Sequence, residues 1–157
     1  MAKLHYEADG DVSPERFIAA LTDFTARRPD WWPNLSATLF KVNELGDSWA
    51  DVTEGSDDLG GIWARERYDW SEPGHIRLTL IESPNFRAGT VIDYRVSGRA
   101  GGGCHVVVDF QRIATTLKGR FVGAALEVVG ERRFAGELRE TLRRLAAVGP
   151  DAPRTAT

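Results

Sequence analysis

The sequence predicts an α+β fold in which a seven-stranded, curved antiparallel sheet is wrapped around a long C-terminal helix. Three patterns predict this fold. Residues 3–8 and most of residues 36–114 alternate between apolar and polar positions, which is typical of half-buried strands. Two short helices follow the first strand, and residues 116–147 return to helical spacing. Because this helix is the only predicted element large enough to cover one face of the sheet, we expect the sheet to curl around it.

The N-terminal elements are one strand and two short helices. Residues 3–8 alternate and predict the first strand. Ser13 is placed to cap a helix that begins with Pro14, because a serine side chain can accept a bond from the first turn and proline tolerates the first helical position. Apolar residues at helical spacing carry this helix to a predicted end at Arg28. Residues 30–35 follow Pro29 and contain Pro33, so they are predicted to form at most one further helical turn.

Six more strands follow the short helices. The breaks between them carry glycine, aspartate, asparagine and proline, which are the residues that favour tight turns. Short connections make neighbouring strands antiparallel, so the sheet should be a meander. The predicted strands are residues 37–45, 48–55, 61–70, 75–82, 89–98 and 104–114.

The C-terminal helix carries an apolar stripe with one polar interruption, at Glu131. Four glycines lie within this helix, and each costs about 1 kcal/mol relative to alanine. Such small residues predict either unfilled space opposite the sheet, or a kink, or a close helix–sheet contact. The residues of the C-terminal helix that are predicted to face the sheet are Leu117, Phe121, Ala124, Val128, Ala135, Leu138, Leu142 and Leu145.

We expect one domain over residues 1–148 and a disordered tail over residues 149–157, which contain no large apolar side chain.

Composition excludes several classes of function. The formal net charge of -3 argues against nucleic-acid binding, which depends on a dense basic surface. Cys104 is the single cysteine, so no internal disulfide forms. The three histidines, His5, His75 and His105, are scattered, and we expect neither a metal site nor a cofactor. We find no signal peptide and no membrane span in the sequence, which predicts a cytoplasmic protein.

The order of the elements and three segments of the sequence resemble a known superfamily. The segments are residues 27–35 (RRPDWWPNL), 63–70 (WARERYDW) and 115–120 (TTLKGR). Over residues 3–147 the chain resembles the START and birch-pollen-allergen superfamily, also called SRPBCC. More narrowly, the three segments resemble signature segments of an actinobacterial branch of it, which is largely without assigned function. The resemblance implies a helix-grip fold with an apolar cavity between the sheet, the long helix and the two short helices. Members of the superfamily include lipid carriers, sterol binders and aromatase/cyclases, so the fold does not choose the function.

Strand alternation assigns the residues that should face this cavity. Glu66 is the one carboxylate in an otherwise apolar inward set, and a buried carboxylate is costly unless it is paired or neutralised. It could bind a ligand hydroxyl or act as a general acid or base. The alternatives are a shifted register, a bulge that reverses the strand's faces, or an arginine partner at the rim of the sheet. Of Trp31 and Trp32, we expect Trp32 to face inward.

The sequence therefore predicts a protein that binds a small hydrophobic ligand, such as a lipid, a fatty acid, a polyketide-like compound or an aromatic metabolite. An alternative is a polyketide cyclase or aromatase-like enzyme that uses Glu66 with Tyr68 or Tyr94 to move protons. A third possibility is a partner-binding module without a usable cavity. We expect a monomer or a homodimer, and not an enzyme unless the cyclase alternative holds. The predicted ligand-binding residues are Trp32, Glu66, Tyr68, Leu78, Tyr94, Phe110, Phe121 and Ala125.

Overall fold

The computed structural model describes residues 1–32, 34–57 and 61–148. It has the predicted helix-grip architecture, with a curved antiparallel sheet and a long C-terminal helix. The predicted tail, residues 149–157, lies outside the described residues. The elements in chain order are β1 (Ala2–Gly10), α1 (Pro14–Leu21), α2 (Arg28–Trp31), β2 (Lys41–Leu45), β3 (Trp49–Ser56), β4 (Ile62–Asp69), β5 (His75–Glu82), β6 (Val91–Gly98), β7 (Cys104–Arg112) and α3 (Leu117–Ala147).

The sheet has seven strands in the order β1-β7-β6-β5-β4-β3-β2, and every described pair is antiparallel. The meander runs from β2 to β7, and β1 closes its far side by pairing with β7. Period-two alternation puts one set of apolar side chains on the concave face. One row across this face runs through Tyr68, Leu78, Ile92, Phe110 and Leu4.

The first helix is shorter than predicted, since α1 ends at Leu21 and α2 already begins at Arg28. The capping prediction holds: the Ser13 hydroxyl accepts from the backbone N–H of Arg16. The Arg28 guanidinium explains the early end of α1. Its Nη1 donates to the carbonyl oxygens of Leu21 at 2.8 Å and Asp23 at 3.3 Å, so these carbonyls bind a buried side chain instead of continuing the helix.

The N-terminal half of α3 faces the sheet with a different set of residues than predicted. Leu117, Phe121 and Val128 are 82%, 72% and 82% exposed, and Ala124 is exposed as well, so the predicted inward orientation of these four residues is wrong. The residues that face the sheet there are mainly glycines, which let the helix approach more closely than large side chains allow. They and their apolar neighbours are Gly119, Val122, Gly123, Leu126 and Gly130. In the C-terminal half the prediction is confirmed, because Ala135, Leu138, Leu142 and Leu145 are buried.

Helix α3 runs along β1 in the same direction as that strand. Gly123 lies opposite Ala2, and Gly130 lies so near Leu4 that an added Cβ would come to 3.0 Å from its side chain. Glu131, the polar interruption of the stripe, accepts a hydrogen bond from the backbone N–H of His5 at 3.2 Å. This bond satisfies a donor on the free edge of β1, which gives Glu131 a structural role. No described helix is long and apolar enough to cross a membrane.

Two glycines of α3 should respond oppositely to substitution. A Cβ at Gly119 would collide with the backbone carbonyl oxygen of Asn85, and that segment is anchored because the same oxygen accepts from the Thr115 N–H at 2.9 Å. We therefore expect Gly119→Ala to lower the free energy of unfolding by about 1–3 kcal/mol. Gly136 has no neighbouring atom within 4 Å of an added Cβ. Gly136→Ala should therefore raise the free energy of unfolding by about 0.5–1 kcal/mol.

Urea unfolding of both variants and the wild type, followed by circular dichroism, measures these differences. Gly136→Ala is the matched control for the change in helix propensity. Equal stabilisation by both substitutions would contradict the close contact between α3 and Asn85.

Candidate functional site

A cavity of about 300 Å³ lies between the concave face of the sheet, α3 and the segment around α2. A second, more open pocket of about 300 Å³ adjoins it and shares part of its wall. The shared residues mark the mouth of the cavity and are Asn34, Leu35, Ser56, Arg133 and Glu137. The mouth therefore lies between α3, the segment after α2 and the end of β3.

Six of the eight predicted ligand-binding residues line this cavity, and two do not. The lining residues are Trp32, Glu66, Tyr68, Leu78, Tyr94 and Phe110. Phe121 points to solvent, and Ala125 is half-buried and outside the cavity wall, so their predicted place at the site is wrong. The cause is the glycine face of α3, which turns Val122 and Leu126 into the cavity instead. Contact between any of these residues and a ligand remains a prediction.

Glu66 forms a buried ion pair with Arg112 across the concave face. Its Oε1 accepts from Arg112 Nη2, and the two residues are 6% and 5% exposed. Glu66 is on β4 and Arg112 on β7, so the pair spans β5 and β6. Burial raises the pKa of Glu66, and the neighbouring guanidinium opposes that rise. Of the three structural alternatives for Glu66 (a shifted register, a reversing bulge or an arginine partner), the structure has the arginine partner.

A second buried network joins α2 to the sheet. Arg28 is 2% exposed, and its Nε donates to Glu54 Oε1 while its Nη2 donates to the Tyr68 hydroxyl at 3.0 Å. The Tyr68 hydroxyl in turn donates to Glu54 Oε2 at 2.6 Å. Burial opposes the charge of Arg28, but Glu54 and Tyr68 beside it raise its pKa above the usual value. Burial also raises the pKa of Tyr68. Tyr68 is thus held in place by groups of the protein itself.

The expectation of a single inward carboxylate is wrong, because Glu54 and Glu137 also line the cavity. Alternation could have found Glu54, which continues the inward series of Ala50 and Val52 on β3. The same signal could have found Arg112, which follows Val108 and Phe110 on β7. No periodic pattern marks Arg28, because it begins a short helix and reaches the cavity through tertiary packing.

Trp32 lines the cavity, as predicted, whereas Trp31 packs against α3. The Thr141 hydroxyl donates to the Trp31 carbonyl oxygen at 2.9 Å, which ties the start of the mouth segment to the helix. The indole Nε1 of Trp32 is buried and has no hydrogen-bond partner among the described residues. The ring itself is held by an edge contact with Phe17, with 6.3 Å between ring centroids. Within residues 1–32, 34–57 and 61–148 there is no cluster of three or more metal-ligating side chains.

The sequence of residues 1–149 matches a family model described as polyketide cyclase / dehydrase and lipid transport. The chain belongs to this family. The family lies within the START and birch-pollen-allergen superfamily that the sequence resembles, and the narrower actinobacterial branch remains a prediction. A comparison with curated proteins finds no match.

Solved structures of this superfamily share the fold at low sequence identity. A protein from Thermus thermophilus superposes with a TM-score of 0.76 at 15% identity, with 94% of this chain and 99% of that chain covered. A Streptomyces aromatase/cyclase, Zhui, gives a TM-score of 0.71 at 17% identity, covering 92% and 93%. A START superfamily protein from Mycobacterium smegmatis gives 0.71 at 13% identity, covering 92% and 99%. At these identities the likeness shows the fold alone.

The buried Glu66–Arg112 pair should be far more sensitive to substitution than an exposed pair. We expect Arg112→Met to lower the free energy of unfolding by about 3–5 kcal/mol near neutral pH, because it leaves a buried carboxylate without its cation. Arg95→Met is the control: Arg95 pairs with Asp109 at 2.5 Å, and the two side chains are 55% and 36% exposed, so we expect a loss of less than about 1 kcal/mol.

The loss in Arg112→Met should also depend on pH. Without Arg112, burial keeps the folded-state pKa of Glu66 above the ordinary value of 4.5, so the folded state holds a proton that the unfolded chain has released. The pKa of Glu66 is also raised in the wild type, but less, because Arg112 opposes the rise. The variant's stability relative to wild type should therefore fall as pH rises above this wild-type pKa, and the difference should close as pH is lowered toward 4.5. Urea unfolding at several pH values tests this, and a difference that does not change with pH would contradict the ion pair.

Proposed function

We propose that this protein binds a small, uncharged and mostly apolar ligand in the cavity between the sheet and α3. The observation that carries the proposal is a cavity of about 300 Å³, which lies at the lower end of the range for small-molecule pockets. Much of its wall is apolar, including Leu21, Leu35, Ile62, Leu78, Phe86, Ile92, Val122, Leu126 and Leu138. The family description, which names lipid transport, supports a hydrophobic ligand. The cavity favours this function over a partner-binding module with a filled interior.

The charges in the cavity wall favour a neutral ligand over an acid. Three arginines line the cavity, and each is paired: Arg28 with Glu54, Arg112 with Glu66, and Arg133 with Glu137 at 3.0 Å. A ligand carboxylate would add a fourth negative charge to a wall whose positive charges already have partners. Burying such a charge is costly. Among the ligand classes predicted from the sequence, neutral lipids, polyketide-like compounds and aromatic metabolites fit better than an ionised fatty acid.

The enzyme alternative has a specific observation in its favour. Glu66 and Tyr94 both line the cavity, and burial raises the pKa of Glu66 and brings that of Tyr94 to about 12. A carboxyl with a raised pKa suits proton transfer in a cyclase-like reaction. Tyr68 suits this role less well, because its hydroxyl is bonded to Arg28 and Glu54. Since Arg112 holds Glu66 in an ion pair, we place ligand binding first and the cyclase activity second.

Ligand binding can be tested by filling the cavity. Ala64 lines it from β4, whereas Ala88 is exposed in the loop before β6. We expect natively purified wild-type protein to release a small apolar molecule in denaturing mass spectrometry. Ala64→Phe should abolish that signal, because the added ring occupies the ligand's space, and the matched variant Ala88→Phe should retain it.

Purified, emptied protein should also distinguish a neutral ligand from an acid. Decan-1-ol should raise the melting temperature of the wild type more than decanoic acid does at neutral pH, and Ala64→Phe should lose this shift. Equal shifts in wild type and Ala64→Phe, with no co-purified molecule, would count against binding in this cavity.

The cyclase alternative predicts that both proton-transfer candidates are needed for turnover. Glu66→Gln and Tyr94→Phe should each abolish conversion of a linear poly-ketone substrate to cyclised product, measured by liquid chromatography. Glu54→Gln, which changes another carboxylate of the cavity wall, is the control and should retain turnover in protein that remains folded. Unchanged turnover in Glu66→Gln would exclude the proposed role.

A further inference from the structure

The exposed side of α3 carries an apolar stripe that the fold itself does not use. Leu117, Phe121 and Val128 are 82%, 72% and 82% exposed, and Ala124 between them is exposed as well. Their spacing of four, three and four residues is that of the a and d positions in a heptad repeat. Exposed apolar side chains that form a contiguous patch often mark an interaction surface, whereas single scattered ones are common on any protein. We call these four residues the α3 stripe.

The α3 stripe lies on the face of the helix opposite to the one that packs on the sheet. Gly119, Val122, Gly123 and Leu126 occupy the b, c and f positions of the same heptads and face β1, Asn85 or the cavity. The two faces are therefore separate, and covering the stripe would leave the cavity wall unchanged. The seam is about 17 Å long, from the rise of 1.5 Å per residue over residues 117–128.

Charges beside the stripe indicate what covers it. Arg120 immediately precedes Phe121, and Glu127 immediately precedes Val128, so both occupy the same flanking position of successive heptads. Both side chains are exposed. When two such helices run antiparallel, equivalent flanking positions face each other, so Arg120 of each copy lies beside Glu127 of the other. This arrangement is self-complementary, as a two-fold interface requires.

We propose that the α3 stripe pairs with the same stripe of a second copy, forming an antiparallel homodimer. In this register Phe121 of each copy packs beside Ala124 of the other, and Leu117 packs beside Val128. Each large side chain thus meets a smaller one. A lipid surface fits the stripe less well, because it would meet a positive charge at one end and a negative charge at the other. Only a partner with the reversed order of charges matches both.

The interface is small, so the dimer is expected to form at high protein concentration and to dissociate on dilution. Stable interfaces bury about 1,200–2,000 Å² in total, more than one short helical seam provides alone. Sedimentation equilibrium over a concentration series measures the dissociation constant directly. The protein of residues 1–157 should shift from monomer to dimer within the series, and a protein that is monomeric throughout would overturn the proposal.

Charge reversal tests the antiparallel register specifically. Arg120→Glu and Glu127→Arg should each raise the dissociation constant about tenfold or more, because each places like charges together twice in the dimer. The double variant R120E/E127R restores opposite charges and should return the constant to near the wild-type value. A dimer that all three variants leave unchanged would show that another surface forms it and overturn the proposal.

Two controls separate the stripe from other exposed apolar residues. Phe121→Glu should abolish the dimer, whereas Leu45→Glu, at a residue that is 61% exposed on β2, should leave it intact. Melting curves check that each variant is folded. Flotation with neutral phosphatidylcholine vesicles tests whether a lipid surface covers the α3 stripe instead. If the wild type is monomeric and binds the vesicles, and Phe121→Glu abolishes that binding, the stripe is a lipid-binding surface and the dimer proposal is overturned.

Discussion

The close packing of α3 along β1 is the contact on which the rest of the structure depends. In the described residues the sheet contacts of this helix concentrate on β1, which is the last strand of the sheet at one side. Glycines on both sides permit the approach: Gly130 on the helix, beside Leu4, and Gly10 on the strand, where Leu142 fills the place of a side chain. Because the helix is held at one edge, it does not fill the concave face over the middle strands. The cavity occupies that space.

Polar groups in the cavity wall are tolerated because each charge has a partner. Arg112 reaches Glu66 across β5 and β6, and Arg28 reaches Glu54 and Tyr68 from α2. Replacing buried ion pairs with apolar residues is often neutral or stabilising in other proteins, so these pairs are weak evidence for stability. They leave the wall polar in places but without excess charge. Such a wall is consistent with the neutral ligand that we propose.

The candidate site could be predicted in part because strands have only two faces. Alternation from a few apolar positions placed Glu66, Tyr68, Tyr94 and Phe110 on the concave face, and all of them line the cavity. The helix was harder to orient, because its residues point in all directions around the axis. The apolar stripe at helical spacing put Phe121 inside, whereas the structure buries the glycine face in that half of the helix.

By itself the sequence determined the order of the elements, the antiparallel meander, the faces of the strands and the length of α3. These follow from short-range patterns: period-two alternation, helical spacing, turn residues and the cap at Ser13. Only the tertiary structure decided which face of α3 packs on β1 and which carboxylate each buried arginine meets. Those contacts join residues far apart in the chain, as Arg112 and Glu66 are. They depend on the curvature of the sheet and on how closely backbones approach, which no local pattern records.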